Sequence, residues 1–139
     1  MKNKKNNKGF SLVELIVVVA IMAVLVGVLA PAYLKYVESS REKKDVNNLE
    51  EVRHAVEIAL AEEGVFEDVV DGTTVTINRN TGAISTTVTD LGTELAATVG
   101  TTCELVSKTY SSTSNTAVYT ITIDLDNGVS VTGDWPAIS

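Results

Sequence analysis

Hydrophobic and polar positions divide this 139-residue chain into three stretches with different periods. Residues 15–34 run for twenty positions without one charged side chain, almost all Val, Ile, Leu, Ala and Met. An α-helix of about 20 residues spans ~30 Å of hydrocarbon, so this stretch has the length of a membrane span. Beyond Pro31 the apolar positions thin to a stripe, Tyr33, Val37, Val46, Leu49, Val52, Val56, Ala59 and Leu60, with charges between them and no Gly or Pro before Gly64. Spacings of three and four predict one amphipathic helix continuing the span, with Gly64 at the position of a helix terminator. Read from Phe10 to Glu63, it would be ~80 Å long. A small head cannot cover such a helix, so its first half needs partners in lipid or in other copies of the chain.

The third stretch has period two. Threonine is absent before Thr73 and frequent afterwards. Residues 75–77 and 83–85 flank Asn80, Thr81 and Gly82, which predicts a hairpin. Residues 117–125 alternate, placing Tyr119, Ile121, Ile123 and Leu125 on one face. Asp126, Asn127 and Gly128 then reverse the chain into residues 129–132, Asn-Gly being among the strongest hairpin turns. A further strand is expected over residues 103–110, and residues 90–99 read as a short helix or an irregular loop. One apolar sheet face against the helix stripe makes a two-layer α+β core.

Charge sharpens the division. Lys2, Lys4, Lys5 and Lys8 stand in the first nine residues with no acid, while the other seven bases and all 18 acids lie beyond them. The net charge of −7 argues against nucleic-acid binding. One cysteine, Cys103, and one histidine, His54, leave no disulfide framework and little for a metal or a catalytic constellation. His54 among Glu50, Glu51, Arg53 and Glu57 reads as a solvated or ion-paired helix residue, Glu50, Glu51, Glu62 and Glu63 as a charged face, and Cys103 as a small core residue. Asp124, Asp126 and Asn127 read as turn chemistry, since the spacing of a calcium loop is missing. Trp135 and Pro136 are expected to dock the C-terminus on the head. The chain thus holds no catalytic or metal site and calls for no cofactor.

Lys8, Gly9, Phe10, Ser11, Leu12, Val13 and Glu14, with the apolar span directly behind, resemble the processing site of type IV prepilins. The resemblance implies a basic leader (residues 1–9) cut off by prepilin peptidase between Gly9 and Phe10, N-methylation of Phe10, and Glu14 as the fifth mature residue, acting with Phe10 in assembly. It also implies a membrane and filament helix (10–34), an amphipathic helix entering the head (35–64) and an antiparallel β-sheet head (65–139), a type IV pilin-like α+β fold. Cys103 has no partner for the C-terminal disulfide of better-known members, which fits the disulfide-free heads of some Gram-positive pilins.

Pro31 lacks the amide that would bond the carbonyl of Gly27, so Gly27 and Pro31 mark a weak point in the helix. A carboxylate at Glu14 costs roughly 2.5–3.5 kcal/mol at bilayer depth unless it is paired, and the amine freed at Phe10 would be its cation. The implied function is a pilus subunit, homopolymeric and non-enzymatic, serving adhesion, motility or aggregation. Its partners would be the peptidase, membrane lipid before assembly and the assembly machinery of the cytoplasmic membrane, and its destination an extracellular filament. Two other classes share part of the pattern: a pseudopilin of type II secretion or DNA uptake, and a single-span surface binding domain. A secretory signal peptide ending near residues 30–32 fits less well, because Glu14 interrupts its core.

Overall fold

The computed structural model describes residues 9–113 and 117–132, in two compact units, Met1–Val37 and Glu38–Ser139. The order of elements is α1 (Leu12–Ala59), α2 (Glu63–Asp68), β1 (Thr74–Asn78), β2 (Ile84–Thr86), α3 (Thr89–Thr98), β3 (Val118–Asp124) and β4 (Gly128–Thr132). In the first unit every described side chain from Gly9 to Tyr36 is exposed, as an apolar helix without a protein partner must be. The leader residues 1–8 and Trp135 and Pro136 lie outside the described residues.

The second unit carries the core. Its sheet is antiparallel, in the order β2-β1-β3-β4. Val75 and Ile77 of β1 stand opposite Ile121 and Tyr119 of β3, and with Ile123 they make a buried face. The opposite face is mostly threonine, half-exposed to water. Onto the apolar face pack Leu49, Val52, Ala55, Val56 and Ala59 of α1, Val65 and Val69 around α2, and Leu91 and Leu95 of α3. The pair at 91 and 95 is one helical turn apart, which settles residues 90–99 as helix.

The two hairpins form where period and turn chemistry place them. In the first, the Asn78 side chain accepts the amides of Asn80 and Thr81, and Gly82 takes a positive φ of 73°. A methyl group at Gly82 would collide with the Cys103 carbonyl oxygen, so the turn admits only glycine. In the second, the Asp124 carboxylate accepts the amides of Asp126 and Asn127 at 3.0 Å each and the Asn127 side-chain amide at 2.9 Å. The Asn127 bonds hold the Asp124 carboxyl below its usual range.

Two expectations are corrected. Helix α1 does not run to Gly64. It ends at Ala59, where Ala61 and Glu62 donate to Ile58 and Ala59, tightening the last turn to three-residue spacing, and extended Glu62 opens α2. Gly64 lies inside α2, and the break brings Val65 and Val69 into the core. Residues 103–110 form no strand; only Thr102 makes an isolated bridge, to Ala83. The amides of Val106, Ser107 and Lys108 bond to side chains of α1 instead of a neighbouring strand.

The stripe on α1 is thus the cover of the sheet. Val56→Asp puts an unpaired carboxylate at a position with 0% exposure and is expected to destabilise the head by roughly 3–5 kcal/mol. Denaturant unfolding followed by circular dichroism measures this; an unchanged midpoint would mean that Val56 contributes nothing to the cover.

Candidate processing and assembly site

Gly9 and Phe10 precede the first helical residue, and Phe10 is 88% exposed. Gly9 is exposed as well. Ser11 donates its amide to Glu14 Oε2 at 2.8 Å, and its carbonyl accepts the Leu15 amide at 3.2 Å. This is the reaching-back half of a capping box, in which a third-position glutamate satisfies an orphan amide at the helix start. The Ser-x-x-Glu spacing of Ser11 and Glu14 is the sequence signature of this cap. The carboxylate also sits in the first turn, where the helix dipole favours negative charge. Gly27 and Pro31 lie further along α1, which continues through both in the single chain.

The second unit has a constellation that no sequence period predicts. Asp45 is 0% exposed, and its carboxylate accepts the amide of Val106 at 2.8 Å and that of Ser107 at 2.7 Å. One and two turns earlier on α1, Glu42 accepts the Thr109 hydroxyl at 2.6 Å and Glu38 accepts the Lys108 amide. Lys44 pairs with Glu104 at 2.7 Å, a bond that raises the lysine above its ordinary range, and Asn48 donates to the Glu104 carbonyl. On the other side, Arg79 donates to the carbonyls of Tyr110 and Thr109 and lies 4.9 Å over the Tyr119 ring. Residues 104–111 are therefore a strap tied to helix and sheet at once. The stripe expected at Val46 is turned by one residue here, because Asp45 serves the strap.

The family motif described as the prokaryotic N-terminal methylation motif matches residues 4–30. By this N-terminal segment, the chain resembles proteins that carry the methylation motif. It is 38% identical over 71 residues to the Prepilin peptidase-dependent protein A of Clostridium perfringens, a match covering 50% of this chain and 51% of the relative. It is 40% identical over 55 residues to Fimbrial protein Q of Moraxella bovis, covering 40% and 35%. With the Type IV major fimbrial protein FimA of Dichelobacter nodosus it shares 35% over 57 residues, covering 41% and 36%. The chain thus spans about half the length of the first of these relatives and about a third of the other two. No solved structure matches.

The remaining candidates in this chain have structural duties. Arg53 bridges Glu50 and Glu57 at 2.8 Å each, and His54 stands 3.2 Å from Glu57 on the exposed side of α1. Asp124 spends its carboxylate on its own turn, and among the described residues no group of three ligating side chains comes together. Burial pushes the Cys103 thiol up from 9.0 to about 11, with the Asp45 and Glu51 carboxylates adding to the shift. In the unfolded chain the thiol ionises around its ordinary value, so the stability from keeping it neutral is intact below pH 9 and is lost as pH rises toward 11. At neutral pH it is a poor nucleophile.

Asp45→Ala would leave the Val106 and Ser107 amides buried without an acceptor. At about 1–3 kcal/mol for each orphaned group, a loss of about 2–5 kcal/mol is expected, with faster hydrogen exchange at both amides. Exchange measured by nuclear magnetic resonance that leaves these two amides as protected as in the parent would refute the assignment.

Proposed function

We propose that this chain is a structural subunit of a type IV pilus, polymerised through the apolar half of α1 after removal of its leader. The observation that carries the reading is an apolar helix face exposed throughout the first unit, placed directly behind a matched methylation motif. So large an exposed apolar surface needs either lipid or a second apolar helix. The names of the relatives, one dependent on prepilin peptidase and two fimbrial, agree with both needs in succession.

In this reading prepilin peptidase cuts between Gly9 and Phe10, Phe10 is N-methylated, and residues 10–34 hold the subunit in the cytoplasmic membrane with the head outside. The machinery of that membrane then passes the subunit into an extracellular filament serving adhesion, motility or aggregation. Cleavage creates an amine at Phe10 beside the carboxylate of Glu14. An incoming subunit sets its Phe10 amine against Glu14 of a subunit already assembled, and two charges expensive in lipid neutralise each other. Charge then selects the vertical offset, while residues 15–34 supply non-directional packing.

Mass spectrometry of the mature protein is expected to find a methylated Phe10 terminus. Retention of Lys2 to Lys8, or a terminus near Tyr33, would overturn the processing assignment. Glu14→Gln keeps the shape and removes the charge, so it is expected to insert and be cleaved yet yield filaments at least about tenfold fewer, the factor that 1.4 kcal/mol represents. Electron microscopy with antibody against the head measures this. Abundant normal fibres built from that variant alone would make apolar packing sufficient, and loss of secretion or DNA uptake with no fibres in the parent would transfer the chain to the pseudopilins.

The continuity of α1 at Pro31 is expected to fail in the filament. A proline inside a helix disfavours it by ~3 kcal/mol, and Gly27 adds a second weak position. A filament map is expected to show irregular backbone over residues 27–31; an unbroken helix from Leu12 to Ala59 would refute this.

A further inference from the structure

The four tyrosines divide sharply. Tyr119 is 0% exposed and its hydroxyl donates to the Tyr110 carbonyl at 3.1 Å, while Tyr110 itself packs half-buried against the core. Tyr33 and Tyr36 are 66% and 75% exposed. They stand three positions apart on α1, so both rings project from one side of the helix, and exposed Lys35 lies between them in sequence. They occupy the last turns of the first unit, where the charge-free run ends and just before Glu38 opens the head.

We propose that Tyr33, Lys35 and Tyr36 form an interfacial girdle that binds the boundary between lipid headgroups and hydrocarbon, fixing how deep the unassembled subunit sits in the bilayer. The inference rests on the reading of residues 15–34 as a membrane span. A tyrosine ring is apolar at its body and wet at its hydroxyl, and a lysine lays an apolar stem along the chain while its ammonium reaches the headgroups. Both therefore collect at the membrane boundary. The distances agree: Glu14 and Tyr36 are 22 residues apart, about 33 Å along a helix, close to the ~30 Å of bilayer hydrocarbon. With the tyrosines seated at the outer boundary, Glu14 lies about one hydrocarbon thickness away, toward the inner one. The girdle thereby sets the height at which Glu14 and the Phe10 amine of successive subunits are presented.

The test places single cysteines at Ala32, Val37 or Ser40 of the full chain, in a Cys103→Ser background, reconstituted in vesicles of phosphatidylethanolamine and phosphatidylglycerol. A membrane-impermeant maleimide reads depth, since a thiol in hydrocarbon does not ionise and does not react. In the parent, Ala32→Cys is expected to be protected and Val37→Cys and Ser40→Cys labelled. Replacing both tyrosines with leucine extends the apolar run by a turn, so Val37→Cys is expected to label roughly tenfold more slowly while Ser40→Cys stays reactive. Replacing both with tryptophan, which keeps an amphipathic ring, is expected to leave the boundary unmoved. A boundary unchanged by leucine would overturn the girdle, and if that variant also formed no filaments the tyrosines would be contacts between copies. Labelling at all three positions in the parent would overturn the span itself, a failure separate from that of the girdle.

Discussion

Everything in this chain depends on a single helix having to satisfy two solvents. At about 1.5–3 kcal/mol for each large apolar side chain moved out of water, residues 15–34 carry a driving force of order 30 kcal/mol, and no described part of the chain covers them. A soluble monomer that presents this surface to water is not a stable end state. Such a helix calls for lipid or another apolar helix as its partner, and the head folds on what remains of α1, from Glu38 to Ala59.

That remainder explains why the head needs a strap. A four-stranded sheet with one apolar face requires one layer of cover, and the stripe from Leu49 to Ala59 supplies it only at one end of the helix segment. Nearer the membrane half, α1 turns carboxylates toward the head instead of valines. Asp45, Glu42 and Glu38 bond to the backbone or hydroxyls of residues 106–109, and charge-assisted bonds of this kind are stronger than neutral ones. Burying Asp45 is tolerable because two amides meet its two oxygens, so neither partner is left unpaired. Polar bonds finish a fastening that apolar packing begins.

How much of this was legible in the sequence follows from which groups make each contact. The apolar helix, the stripe from Leu49 to Ala59, both hairpins and the alternation of Tyr119, Ile121 and Ile123 are carried by side-chain period, and they stand where the period puts them. The strap was not legible, because residues 103–110 have ordinary strand composition and only their amides, bonded to a helix some sixty positions earlier, decide against a strand. Asp45 was hidden for the same reason: a charge beside an apolar stripe reads as solvent-facing until its partners are known. Gly64 misled in another way, since the break in α1 is set by the need to bury Val65 and Val69 and the glycine merely follows it. At the start of α1, Gly9, Phe10 and Glu14 are legible as a motif, and the Ser11 to Glu14 bond is written in their spacing.

That bond alters how Glu14 works. A carboxylate entering a membrane alone would neutralise by taking a proton, and a neutral acid attracts no amine. Here one oxygen already accepts the Ser11 amide, and the positive end of the α1 dipole lies beside it. Both interactions hold the carboxylate in place at the start of the helix. In the uncut chain the nitrogen of Phe10 is an uncharged amide, so a carboxylate held ready has no cation to meet. In the proposed processing, cleavage would supply the cation and leave in place the capping bond to Ser11, the second residue beyond the cut. In the proposed polymer the leader therefore blocks assembly by withholding the amine, and the helix cap fixes where the carboxylate that would meet it stands.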